Sequence, residues 1–303
     1  MKVLDFIFAA RPMLLLPVWS VYLVSLHYHN ELSGGEFSVV DLIVLVGLSL
    51  IFSGAYYLNQ VTDYESDKLN NKLGFLQKGM LTEREVMAGY LVVSLVGVGL
   101  GLLVSTVTIF LFLAVFLLGY LYSAPPWRLK DRAVFGLIAN AVAYGLLVSL
   151  SVMPEMTFHN SGLLGWDNPF YFLATVGSIY CVTTVPDREG DKAVGKKTLA
   201  VWVGPQVTLA IGFLLMLVAT LVAMRSGFAL LMYLAGCSSI VVLIALLVPV
   251  GEPVLLAAKL PLLLLTVLAG IFYPVYLVFI VALVIATRIY YKRRFNRVYP
   301  ELA

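Results

Sequence analysis

The sequence predicts an all-α polytopic membrane protein, a helical bundle of about nine transmembrane helices, on three observations. The 303-residue chain is 61% hydrophobic and only 12% charged, with a mean hydropathy of +0.96, whereas soluble domains carry roughly a quarter charged residues. Its apolar residues fall in runs of about 20, the length that crosses a bilayer as a helix. These runs are too long and too continuous for barrel strands, and only helices or closed barrels satisfy the backbone in lipid.

The spans fall near residues 4–27, 39–60, 83–104, 107–122, 134–153, 168–186, 204–224, 228–249 and 270–291. The first begins in MKVLDFIFAARPMLLL, which lacks a cleavable-signal pattern; its apolar stretch carries Arg11 and Pro12 and runs on to about His27, as expected of a membrane helix. Segment 252–269 holds Lys259 and Pro261 and reads either as an interfacial helix or as part of a tenth span; nine are assigned. Residues 1–303 read as one transmembrane domain. The small net charge of +3 gives no indication of nucleic acid as a partner. Cys181 and Cys237 both lie in apolar runs, implying neither a disulfide framework nor a metal cluster.

Loop charge orients the bundle. Connections 61–84, 123–133 and 187–203 carry Lys68, Lys72, Lys78 and Arg84, then Arg128, Lys130 and Arg132, then Arg188, Lys192, Lys196 and Lys197. Connections 28–38, 105–106 and 154–167 carry no Lys or Arg. The positive-inside rule places the first set in the cytoplasm. The basic tail RIYYKRRFNR contradicts this assignment, because nine spans would leave it outside; a crossing by 252–269 would remove the conflict.

Two acidic motifs stand at the basic-loop end. NQVTDYESD, residues 59–67, closes the second span, and TVPDREGDKAVGKKT follows the sixth. On a helix, positions four apart lie about 40° from one another and rise about 6 Å, so Asn59, Asp63 and Asp67 line one face, and so do Asp187 and Asp191. A single DxxxD at a helix end is ordinarily solvated loop. Two copies on even-numbered spans at one end of the bundle are a different matter, since their carboxylates would repel without cations between them. Hard oxygen donors at this density suit Mg²⁺, which takes one or two carboxylates and a substrate phosphate. Lys78, Arg128, Lys130, Lys196 and Lys197 share the same end and fit a metal-bound polyanion such as a diphosphate, whose departure needs its developing charge stabilised. Arg128 and Lys130 sit in YSAPPWRLK, residues 122–130, where Pro125 and Pro126 restrict the backbone.

Taken together, the Asn59-Asp63-Asp67 pattern, Asp187/Asp191 and YSAPPWRLK resemble the UbiA superfamily of intramembrane prenyltransferases, over roughly residues 1–290 in helix count and motif order. The resemblance implies that Asn59, Asp63, Asp67, Asp187 and Asp191 bind an isoprenyl diphosphate through Mg²⁺. It also implies a cytoplasmic cap made by the 2–3, 4–5 and 6–7 loops, and a lateral opening to lipid. Many members carry an Arg-Pro pair after the first acidic motif. Here the stretch reads NKLGFLQKGMLT, leaving Lys78 as the diphosphate ligand from that loop.

The expected reaction is Mg²⁺-dependent transfer of a prenyl group to a lipophilic acceptor at a cell membrane, by ionisation to an allylic cation shielded from water. Aromatic faces stabilise such a cation, and Tyr56, Tyr57, Tyr120 and Tyr122 lie within about two helical turns of the motifs; a tyrosine at this depth is more often an interfacial belt residue. Asn140 either meets substrate or makes an interhelical hydrogen bond. Arg11 either faces the cavity or pairs with a nearby acid. The acceptor is read as an aromatic quinone precursor, with a glyceryl phosphate lipid as the alternative. A cation transporter is the reading of another class, although transporters place ionisable groups near the midplane. An alcohol phosphotransferase would need a longer acidic run.

Overall fold

The computed structural model describes residues 2–69, 74–153 and 164–300. Lys72 and residues 154–163 lie outside them. Among the described residues the architecture is helical, and the sole β-type pairing is an isolated bridge between Arg132 and Lys197. Helix starts are written locally. Ser38 and Asp41 form a capping box at the head of Val39–Thr62, as do Thr82 and Glu85 for Glu83–Leu100, each satisfying backbone N–H groups that have no partner within the helix.

Nine helices among the described residues are long and apolar enough to cross a membrane: Lys2–Ser33, Val39–Thr62, Glu83–Leu103, Thr106–Ser123, Ala133–Leu150, Pro205–Arg225, Ala229–Leu247, Glu252–Phe272 and Pro274–Phe295. Their outer faces are apolar, with Val92, Leu95, Leu214, Leu221 and Val278 exposed, as lipid contact requires. The count of nine matches the sequence reading, but the membership differs in two places.

Leu164–Thr184 covers the predicted sixth span. It is a 21-residue helix yet stands outside the nine, because Asp167, Asn168 and several tyrosines and threonines dilute its hydropathy. Burial explains this. Tyr171, Phe172, Ser178, Cys181 and Val182 are wholly inaccessible, and the helix is wrapped by Pro205–Arg225, the π-helical stretch Ala141–Leu147 and Glu252–Phe272. A helix that meets protein rather than lipid can be less apolar. The second difference is Glu252–Phe272, left ambiguous by sequence. It is one continuous helix through Pro261, held to the first span where Ser20 Oγ lies 3.2 Å from Thr266 Oγ1.

With Leu164–Thr184 the described residues hold ten long helices running from end to end of the bundle, and side-chain contacts fix the parity. Phe272 stacks on His27 at one end. At the other, the basic end of Pro274–Phe295 returns to the chain's start: Arg294 donates to Asp5 at 3.0 and 2.8 Å, and Tyr290 donates to the same carboxylate. Phe75, which follows the first acidic motif, packs edge-on against Phe295. The basic tail therefore lies at the same end as the basic loops, which removes the conflict left by a nine-span reading.

Lipid offers no hydrophobic drive for helix association, so close packing and interhelical hydrogen bonds must supply it. A Cβ added at Gly97 would stand 2.9 Å from the Gly47 carbonyl oxygen, so Val39–Thr62 and Glu83–Leu100 touch backbone to backbone. Trp19 donates to Ser49 at 2.8 Å across the first two spans, worth about 0.6–2 kcal/mol in such bundles.

Candidate active site

The second span ends at Thr62, and Asp63 is its C-cap. The chain then resumes as the short helix Tyr64–Leu69. The break does not spoil the stripe, because Asp63 N–H donates to the Asn59 carbonyl at 3.0 Å and Asp67 N–H to the Asp63 carbonyl at 2.8 Å. The register expected from the spacing of Asn59, Asp63 and Asp67 is thus kept through the helix end.

The basic turn after the fourth span meets this stripe. Arg128 adopts a left-handed backbone (φ 38°) and Leu129–Asp131 forms a 3-10 turn, which directs both cations at the second span. Lys130 Nζ donates to Asn59 Oδ1 at 2.5 Å and to Asp63 Oδ1 at 2.7 Å. Arg128 donates to the Thr62 carbonyl and to Asp63, each at 3.0 Å, and to Asp131 at 2.6 Å. Asp63 and Lys130 are buried. Burial would raise the Asp63 pKa, but Lys130, helped by Lys196 and Arg128, outweighs it and holds the carboxyl below its ordinary range. Burial is also the larger influence on Lys130, drawing its ammonium below the usual lysine value against the pull of Asp63.

The second acidic motif joins through the 6–7 connection. Asp187 occupies the N-cap position of the short helix Arg188–Ala193 and is exposed; Asp191 N–H donates to the Asp187 carbonyl at 2.9 Å. Lys196 Nζ lies 3.6 Å from Asp191, while its charge is also felt at Asp63. Lys197 N–H donates to the Asp131 carbonyl at 3.0 Å, tying this connection to the basic turn. Asn59, Asp63, Arg128 and Lys130 are therefore in direct contact, and Lys196 links them to Asp191.

Beneath Asn59 opens a cavity of about 230 Å³, lined by Arg11, Tyr56, Tyr122, Asn140 and Tyr144 among others. Tyr56 donates to the Leu14 carbonyl at 2.8 Å, and its oxygen lies 2.7 Å from the Tyr144 hydroxyl. Tyr122 faces Asn140 and Tyr180. A charged mouth over an aromatic chamber can hold a polar head and an apolar tail together.

Three expected residues stand elsewhere. Tyr120 is 40% exposed and does not line the cavity. Two residues on, Tyr122 does, since a two-residue step turns a helix by about 200°. Lys78 is exposed, with Nζ 5.2 Å from the centre of the Phe295 ring. Burial of Phe75 and Leu76 turns its loop onto the last helix. Tyr57 donates to the Phe6 carbonyl at 2.7 Å, away from the chamber. Sequence reasoning missed Tyr144 as a cavity residue, although it lies one helical turn beyond Asn140. It missed Tyr180 too, which stands behind Tyr122 rather than in the cavity wall and which nothing local marks.

The donor set fits a hard dication shared with an anion. Among the described residues no three His, Cys, Asp or Glu side chains converge on one point, so the protein alone does not form a cage. Asn59 Oδ1 and Asp63 Oδ1 do converge, on the Lys130 ammonium, and Asp191 adds a carboxylate across Lys196. One or two carboxylates completed by phosphate oxygens is the usual arrangement for Mg²⁺.

Comparison with known proteins follows the same lines. The model of the UbiA prenyltransferase family matches residues 14–255. A digeranylgeranylglyceryl phosphate synthase from Sulfurisphaera tokodaii is 25% identical over 230 residues, 72% of this chain and 78% of the relative. A homogentisate phytyltransferase from Synechocystis is 28% identical over 209 residues, 63% of this chain but just 64% of the relative, under two thirds of its length. The structure of a UbiA homologue from Archaeoglobus fulgidus bound to GPP and Mg²⁺ superposes with a TM-score of 0.73 at 18% identity, covering 90% of this chain and 98% of the homologue.

Proposed function

The chain belongs to the UbiA prenyltransferase family, and we propose that it transfers a prenyl group from an isoprenyl diphosphate to a lipophilic aromatic acceptor, a quinone precursor. In this reading residues 1–303 form a single transferase domain in the cell membrane. The 2–3, 4–5 and 6–7 connections cap the site on the cytoplasmic side, as the basic loops support. The observation that carries the proposal is the position of Lys130, an ammonium bridging Asn59 and Asp63 at the mouth of an aromatic cavity.

Asn59, Asp63, Asp67, Asp187 and Asp191 would hold Mg²⁺, which supplies charge neutralisation to the departing diphosphate. Lys130, Arg128 and Lys196 bind diphosphate oxygens and stabilise the charge that develops on the leaving group. Tyr56, Tyr122 and Tyr144 exclude water and turn π-faces toward the allylic carbon. Asn140 orients whichever ligand lies beside Tyr122. The apolar tail extends among the helices, favoured by about 0.8 kcal/mol per buried CH₂. A second reading, with a glyceryl phosphate lipid as acceptor, is favoured by the archaeal relative and uses the same donor site.

The test is incubation of purified protein with geranyl or geranylgeranyl diphosphate and each acceptor class, with and without Mg²⁺, followed by product mass. Asp63→Ala and Asp187→Ala should abolish Mg²⁺-dependent product while the protein remains extractable in folded form. Normal turnover by both variants would refute the site, and product formation unchanged by chelation would refute the metal's part in it.

A further inference from the structure

One cation at this end of the bundle has no place in the donor site described above. Arg11 lies where the first span unwinds between Lys2–Ala9 and the 3-10 turn Pro12–Leu15, with a left-handed backbone (φ 52°, ψ 59°). Its N–H donates to the Phe8 carbonyl at 3.1 Å, its carbonyl accepts from Leu14 N–H at 2.8 Å, and Gln60 clamps the preceding turn by donating to the Ala9 carbonyl at 2.6 Å. Arg11 lines the cavity together with Asn59. Among the described residues no carboxylate pairs with it; its charge instead reaches the phenols of Tyr56, Tyr291 and Tyr299. Ionisable groups at membrane depth are ordinarily paired or functional, and Asp63 and Asp191 of the donor site already have Lys130, Arg128 and Lys196.

Two of those phenols come from a part of the chain beyond the family match, which ends at residue 255. The Tyr291 and Tyr299 rings lie 4.8 Å apart. The segment bearing them is anchored where Asp5 holds Arg294 and Tyr290, and where Arg288 donates to the Pro300 carbonyl at 3.4 Å. Its helix, Pro274–Phe295, touches the Pro12–Leu15 turn that follows Arg11.

We propose that Arg11, where it lines the cavity beside Asn59, binds an oxyanion head on the acceptor, either a carboxylate or a phosphate ester, with the C-terminal segment packed behind it. This deepens the transferase reading and rests on it. An acceptor must bring its nucleophilic atom to the allylic carbon, so its head has to enter this cavity. A guanidinium presents a planar fork of donors that matches both oxyanions. Packed behind Arg11, the tail takes part in acceptor choice.

Binding to detergent-purified full-length protein tests this without turnover. Geranylgeranylglyceryl phosphate is compared with geranylgeranylglycerol, and homogentisate with its methyl ester. Geranylgeranyl thiolodiphosphate with Mg²⁺ reports the donor site. The wild type should prefer the anionic member of at least one pair by about tenfold or more, as a charge-assisted fork gives, and the preferred pair identifies the source of the oxyanion. Arg11→Gln should abolish that preference and Arg11→Lys should keep part of it, both with donor-analogue binding intact, which also shows that they are folded. Tyr299→Ala should reduce the preference. The proposal is overturned if the wild type shows no anion preference, if Arg11→Gln retains it, or if Arg11→Gln weakens the donor analogue instead, which would assign Arg11 to the diphosphate. An unchanged preference in Tyr299→Ala overturns the part given to the tail. Failure of the analogue to bind the wild type would refute the transferase reading, and this proposal with it.

Discussion

Replacing Lys130 by Met should have opposite effects on the two ligands of the donor site. The ammonium rests 2.5 Å from Asn59 Oδ1 and 2.7 Å from Asp63 Oδ1, on the oxygens proposed to hold Mg²⁺. In the free protein a metal must displace it, losing two charge-assisted hydrogen bonds worth about 1.5–3 kcal/mol each. Part of that loss is recovered when the ammonium rebinds to a phosphate oxygen, which is available only with the diphosphate present. Lys130→Met should therefore tighten metal binding in the absence of diphosphate. Avoiding the loss of even one such bond, about 1.5 kcal/mol or more, corresponds to roughly tenfold. The same variant should lower kcat/KM for the prenyl diphosphate by about 10²–10³, the usual effect of removing one preorganised donor to developing charge. Arg128 remains 3.0 Å from Asp63, so the buried carboxylate keeps a partner and the variant should fold. Electron paramagnetic resonance titration with Mn²⁺, with and without diphosphate, reads the first effect, and initial rates read the second. Weaker or unchanged Mn²⁺ affinity in the diphosphate-free variant would refute the competition argument.

Other substitutions separate the cavity from its surroundings. Tyr122→Phe should reduce turnover by about tenfold or more, through loss of the hydroxyl that faces Asn140 and Tyr180, while Tyr120→Phe should leave rates unchanged because that ring points outward; equal effects would contradict the assigned faces. Gly145→Ala places a Cβ 2.5 Å from the Phe172 carbonyl oxygen, a backbone atom that cannot step aside. Its cost should be the 1–3 kcal/mol typical of overpacking, seen as a lower thermal midpoint in detergent.

Much of this architecture is legible in sequence for a physical reason. Lipid demands long apolar runs, and the acids of a DxxxD sit on one face wherever the backbone is helical. The stripe from Asn59 to Asp67 survived even the break at Asp63, because the bond from Asp67 N–H to the Asp63 carbonyl preserved the helical phase. What hydropathy could not supply was partner identity. Lys78 and Lys130 look alike along the chain, yet one covers the Phe295 ring and the other is buried on Asp63; the deciding contacts come from residues more than 60 positions away. Tyr120 and Tyr122 differ only in helical phase, which the second span's polar face could have fixed. Lys259 and Pro261 blurred the ninth pass because a charge and a proline weigh heavily in a local average, whereas Ser20 and Thr266 meeting within the bundle show the helix in place.

Parity is where that ninth pass has its largest consequence. With ten crossings both chain ends lie beside the acidic motifs, and Asp5, inaccessible but for 2% of its surface, is neutralised by Arg294 from the far end of the chain. A nine-crossing chain would strand that carboxylate at the opposite interface from its partner, with no other salt bridge to it among the described residues. In a background lacking Cys237, single cysteines at Arg297, Lys192 and Gly34 distinguish the two topologies; Cys181 is buried and unreactive. A membrane-impermeant thiol reagent applied to sealed inside-out vesicles should label positions 297 and 192 alike and leave 34 protected. Labelling of 297 together with 34 would show that the tail lies opposite the acidic motifs, which would break the contact between Asp5 and Arg294 and, with it, the packing of Pro274–Phe295 on the Pro12–Leu15 turn next to Arg11.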